Sequence, residues 1–88
     1  MAAPSNARRS PHHGALQAVV DALFQDPGVR QVRRLDVVVA AESADLPEDL
    51  LEIVRLLPPG TYTRQRLCDQ VNSALSGHAW GQVYGTVQ

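Results

Sequence analysis

Two prolines and a glycine in succession, Pro58-Pro59-Gly60, constrain this chain more than any other feature. Proline removes a helical amide and clashes with the preceding turn, and glycine readily leaves helical space, so no helix runs through this point. The chain must turn there. Before the turn, Leu50, Leu51, Ile53, Val54 and Leu57 recur at helical spacing, and Asp45 with Glu48 has the spacing of a capping box around Pro47. That pattern predicts a helix ending at Pro58. After the turn, Thr63 is placed to cap a further helix whose inward positions are Leu67, Val71, Ala74 and Leu75, with Ser76-Gly77 as its end.

Upstream, Ser10 and Pro11 suit a cap and a first helical residue, and Leu16, Val19, Val20, Leu23 and Phe24 form one apolar stripe. Asp26-Pro27-Gly28 stops that helix. Residues 29–41 admit two readings: Val29, Val32 and Leu35 fit a helix, while Val37-Val38-Val39 fits a buried strand. The preferred reading is a strand over residues 34–41. The glycine-rich, aromatic tail reads as a closing strand, with Ala79, Val83 and Val87 on one face and Trp80, Gln82, Tyr84 and Thr86 on the other. It is expected to pair with Val37-Val38-Val39. The resulting expectation is an α+β fold: about three helices packed on a small sheet formed by a middle strand and a C-terminal strand. Residues 11–88 would make a single small domain, preceded by a disordered basic arm over residues 1–10.

A chain of 88 residues holds one core. A domain of this size buries only about 60 per cent of the surface its unfolded chain exposes, so self-association is an economical supplement to its stability. Residues 1–34 carry five arginines against Asp21 and Asp26, whereas the remainder carries seven acids against three arginines. This asymmetry can orient a partner or a second copy. The formal net charge of −1 is not that of a purely electrostatic nucleic-acid binder. One cysteine, Cys68, excludes an internal disulfide and fits a reducing, cytoplasmic setting. The longest apolar run, residues 37–41, is far short of the roughly 20 residues of a membrane-spanning helix. No membrane partnership is expected.

Chemistry is poorly represented. His12 and His13 fall near the arm and His78 at a helix exit, without the spacing of a metal site. Cys68 with His78 would be a conceivable nucleophile and base, but a cysteine beside a core stripe is ordinarily a small apolar residue. Glu42, Asp45, Glu48, Asp49 and Glu52 are explained by capping and a solvated helix face. No catalytic residue, metal or cofactor is expected, and the chain is read as non-enzymatic.

Arg64 and Arg66 are the sharpest binding candidates, because cations in a helix's first turn oppose the helix dipole. Beside free amides, and next to Tyr62, they could hold a phosphate or a partner's carboxylate. Trp80 and Tyr84 are a second candidate, since aromatics on a sheet surface favour interfaces. These five residues point to a small regulatory or adaptor module that binds another protein or its own copy. The alternative is a DNA-binding regulator of helix-turn-helix or winged-helix type, with Arg64 and Arg66 in a groove and Arg8 and Arg9 on the phosphates.

Leu57-Pro58-x-x-x-Tyr62, preceded by an acidic amphipathic helix and followed by another helix, resembles a family of short actinobacterial domains of unknown function that carry Leu-Pro-x-x-x-Tyr. The resemblance covers roughly residues 45–75. It implies a small helical interaction module and assigns no catalytic residue.

Overall fold

A computed structural model describes residues 14–77 and 84–88. The chain runs through α1 (Ala15–Leu23), β1 (Val32–Arg33), α2 (Arg34–Ser43), α3 (Glu48–Arg55), β2 (Thr61–Tyr62) and α4 (Arg64–Gly77). The fold is α+β, with four helices and one two-stranded antiparallel sheet among the described residues. Val32 pairs with Tyr62 and Arg33 with Thr61. The first pair is buried and the second exposed, as the alternation of a strand requires.

The first helix holds Leu16, Val19 and Val20 in the core, with Leu23 and Phe24 packed against it. The helix starts at Ala15 with the left-handed Gly14, at φ 85°, as its N-cap, which corrects the expected start at Ser10 and Pro11. The basic arm and Trp80 lie outside the described residues. Downstream of α1 the Asp26 carboxylate accepts the Gly28 amide at 2.8 Å and the Asp26 carbonyl accepts the Val29 amide at 2.9 Å. This is the short side-chain-supported turn that Asp-Pro-Gly favours.

Residues 34–41 are helical, which corrects the expected middle strand. Val37 and Ala41 are buried one turn apart, whereas Val39 stands 52% exposed. A strand would have placed Val37 and Val39 on one face. The β-branched run costs only a few tenths of a kcal/mol per residue in helix propensity, and two end structures outweigh it. At the start, the Asp36 carboxylate accepts the Arg33 amide at 2.9 Å. At the end, the Asp45 amide bonds the Glu42 carbonyl at 3.1 Å and the Leu46 amide bonds the Ala41 carbonyl at 3.4 Å. That pair of bonds is a Schellman closure, with Leu46 buried against the helix it ends.

Asp45 occupies the left-handed position of this closure, at φ 54°. It therefore does not cap α3, and the expected Asp45–Glu48 capping box is replaced by Pro47 as the residue before that helix. Left-handed backbone disfavours every residue with a Cβ, so Asp45→Gly should raise stability by about 1 kcal/mol, or roughly 4–8 °C in Tm. A thermal melt with an unchanged or lower Tm would contradict this assignment.

Helix α3 presents Leu50, Ile53 and Val54 inward and carries Glu48 and Asp49 in its first turn and Arg55 in its last, the favourable order for its dipole. Its final carbonyls are closed from α2. The Arg34 guanidinium donates to the Leu57 carbonyl at 2.8 Å and to the Arg55 carbonyl at 2.7 Å. Helix α4 completes the core with Leu67, Cys68, Val71 and Leu75, and its Thr63 cap is present, the hydroxyl accepting the Arg66 amide at 3.2 Å.

The tail forms no strand over residues 84–88. Residues 78–83 of the expected closing strand lie outside the described residues, and its pairing with Val37-Val38-Val39 is corrected, since those valines have their backbone bonds inside α2 and the partner of β1 is β2. Tyr84 and Val87 are both buried, with Thr86 exposed. None of the described helices is long and apolar enough to cross a membrane.

Candidate functional site

The Pro58-Pro59-Gly60 turn is closed on itself. Leu57 and Tyr62 are buried, and the Tyr62 hydroxyl donates to the Pro58 carbonyl. Gly60, at φ 141°, takes a conformation that a side chain would strain, and its carbonyl accepts the Arg34 amide at 3.1 Å. The spaced Leu, Pro and Tyr are therefore one structural unit. Tyr62 offers a partner little beyond the ring face, over which the Arg66 guanidinium lies 6.0 Å from the centroid.

Arg64 and Arg66 do stand in the first turn of α4, but they face different surroundings. Arg64 pairs with the Asp21 carboxylate of α1 and donates to the Gln88 carbonyl from Nε at 3.1 Å and from Nη2 at 2.9 Å. This guanidinium joins α1, α4 and the tail. Asp21 is held below the usual carboxylate range by its hydrogen bond from Gln17 and then by Arg64. Arg66 has no ion pair among the described residues.

Tyr84 is buried, its hydroxyl donating to the Asp49 carboxylate at 3.1 Å and its carbonyl accepting the Gly14 amide at 3.0 Å. Burial, and then Asp49, push its hydroxyl above the ordinary tyrosine range. Tyr84 thus packs inward. Trp80 falls outside the described residues, so the two aromatics are not placed together. The Cys68 thiol is buried and pushed up by that burial, which disfavours the reactive thiolate. Among the described residues, no three of His, Cys, Asp and Glu are grouped to hold a metal ion.

The most conspicuous surface was missed in the sequence. Leu35 and Val39, one helical turn apart on α2, are 65% and 52% exposed. Leu56, between the two carbonyls that Arg34 holds, adds a third exposed aliphatic side chain at 55%. At the N-terminal end of this ridge lies an open depression of about 340 Å³, lined by Arg33, Arg34, Leu35, Pro59, Gly60 and Thr61. Arg30 and Arg33 make no ion pair among the described residues. The signal was available: read as a helix, residues 34–41 put Leu35 and Val39 together and away from Val37.

No known protein family, curated protein or solved structure matches the chain.

Proposed function

We propose that this protein is a non-enzymatic regulatory or adaptor module, acting in the cytoplasm, that works through protein contact and docks on a second copy of itself along the outer face of α2. One observation carries the reading: α2 turns Val37 and Ala41 inward yet sets two large aliphatic side chains, Leu35 and Val39, outward among the exposed Asp36, Glu42 and Ser43. A surface helix ordinarily has a polar outer face, as α3 does with Glu48, Asp49 and Glu52. The aliphatic pair on this outer face calls for a cover.

A second copy supplies one with complementary charge. An antiparallel α2 pair related by a two-fold axis between Leu35 and Val39 sets Leu35 of each copy on Val39 of the other. The basic start of each helix, with Arg30 and Arg33, then meets the end bearing Glu42, whose carboxylate remains half exposed while paired with Arg55. Opposed helix dipoles add to the match. A ten-residue helix is about 15 Å long, so the contact falls at the small end of specific interfaces and the dimer should be micromolar or weaker.

Arg64 has a smaller part in this reading than its sequence position implies, since Asp21 and Gln88 already occupy it. The same commitment weakens DNA binding as the alternative, because it leaves Arg66 as the uncommitted cation of that turn. Sedimentation equilibrium from low micromolar to millimolar concentration tests the proposal. Wild type should pass from monomer to dimer, and Leu35→Glu with Val39→Glu should shift the dissociation constant at least tenfold while Arg64→Ala leaves it within about twofold. A wild type that stays monomeric throughout, or a dimer indifferent to the two glutamates, would overturn it.

A further inference from the structure

The tail is held in an unusual way. The Asn72 side-chain amide of α4 donates to the Val87 carbonyl at 2.9 Å and accepts the Val87 amide at 2.8 Å. The Gln17 side-chain amide of α1 does the same for Gln88, donating at 3.1 Å and accepting at 2.8 Å. A single amide can bond both groups of one residue only when they point the same way, as they do in an extended chain. Adjacent residues of an extended chain point these groups to opposite sides, so α4 grips the tail from one side and α1 from the other. Arg64, aligned by Asp21, closes on the Gln88 carbonyl. Val87 and Tyr84 fill the cleft beneath.

Upstream the chain turns through Gly85 at φ 83°, so Tyr84 and Val87 are buried together. These are the features of a groove that reads a peptide with an extended end: backbone hydrogen bonds for affinity and buried side chains at set positions for specificity. Gln17 and Asn72 recognise main-chain groups, which any peptide offers. Val87 and Tyr84, the latter on Asp49, give the selectivity. We infer that the cleft between α1 and α4 is a peptide-recognition groove, filled here by the chain's own residues 84–88, that accepts in trans a peptide extended at its last two residues, with an aliphatic residue at the Val87 position and, across a left-handed glycine at the Gly85 position, a tyrosine three places before it. The chain's own tail is then a competing strap. Its release sets the apparent affinity, because only the fraction of molecules with an open groove can bind.

The probe is a fluorescein-labelled Tyr-Gly-Thr-Val-Gln carboxamide, titrated by fluorescence anisotropy into the full chain. Wild type should bind it weakly, and Val87→Asp, which loosens the strap, should bind it at least tenfold more tightly. Adding Asn72→Leu to Val87→Asp should reverse that gain by tenfold or more. Equal affinity for wild type and a folded Val87→Asp, or indifference to Asn72→Leu, would overturn the inference. Amide hydrogen exchange on the wild type tests it without any variant. The Val87 and Gln88 amides should exchange at least tenfold faster than those of Leu67 and Val71, and equal rates would overturn it by showing that the strap opens only when the whole domain unfolds. Both tests are independent of the α2 contact.

Discussion

Val37→Glu should leave the protein largely unfolded, whereas Val39→Glu, two residues on, should leave it folded. Val37 is 1% exposed and no cation faces it in any described ion pair, so a carboxylate there is a buried unpaired charge. Its cost should be roughly 4 kcal/mol or more, which takes most of the stability of a domain this small. Val39 points to solvent, and glutamate is a better helix former than valine, so the change should stay within about 0.5 kcal/mol in the monomer. Urea unfolding followed by circular dichroism at low micromolar concentration reads both values. Equal losses at the two positions would restore the strand, in which they share a face.

Tyr62→Ala should be the second large effect, at about 3–5 kcal/mol, because it removes a 3% exposed ring that packs opposite Val32 and carries Arg66. Tyr62→Phe keeps the ring and loses only the hydroxyl's bond to the Pro58 carbonyl, for about 1 kcal/mol. The contrast separates a structural tyrosine from a recognition tyrosine. Should Tyr62→Ala melt within about 2 °C of wild type, a shift worth well under 1 kcal/mol, the closed Pro58-Pro59-Gly60 turn would not be what holds β2 against β1.

Much of this fold was legible because its signals are local. The stripes of α1, α3 and α4 recur every three to four residues, and the Thr63 cap and the Asp26 turn each involve atoms a few positions apart. The illegible part depends on competing local signals or on distant partners. Val37-Val38-Val39 has strand propensity, and the Asp36 cap, the closure at Ala41, Asp45 and Leu46 and the burial of one side together make it helical. Asp45 had two plausible uses, as a cap for α3 or a closure for α2, and its left-handed backbone selects the second. The tail shows alternation, but its backbone partners are side-chain amides of Gln17 and Asn72, up to 71 residues away.

The candidate site divides in the same way. Arg64 and Arg66 look equivalent in sequence, yet Asp21 is 43 residues from Arg64, and no local pattern announces that pairing. Leu35 and Val39 were visible as residues but assigned to the wrong periodicity, which moved the exposed face of α2 into an imagined sheet. An interface candidate is legible only after the secondary structure beneath it is right.

Cross-linking between copies tests the central claim, that α2 packs antiparallel on α2 of a second copy. In a Cys68→Ala background, chains carrying Leu35→Cys are mixed with chains carrying Val39→Cys and oxidised mildly. The account predicts that the mixed disulfide between positions 35 and 39 forms in preference to any link through a Glu52→Cys control on α3. Cross-linking no faster at 35 and 39 than at the control would contradict it.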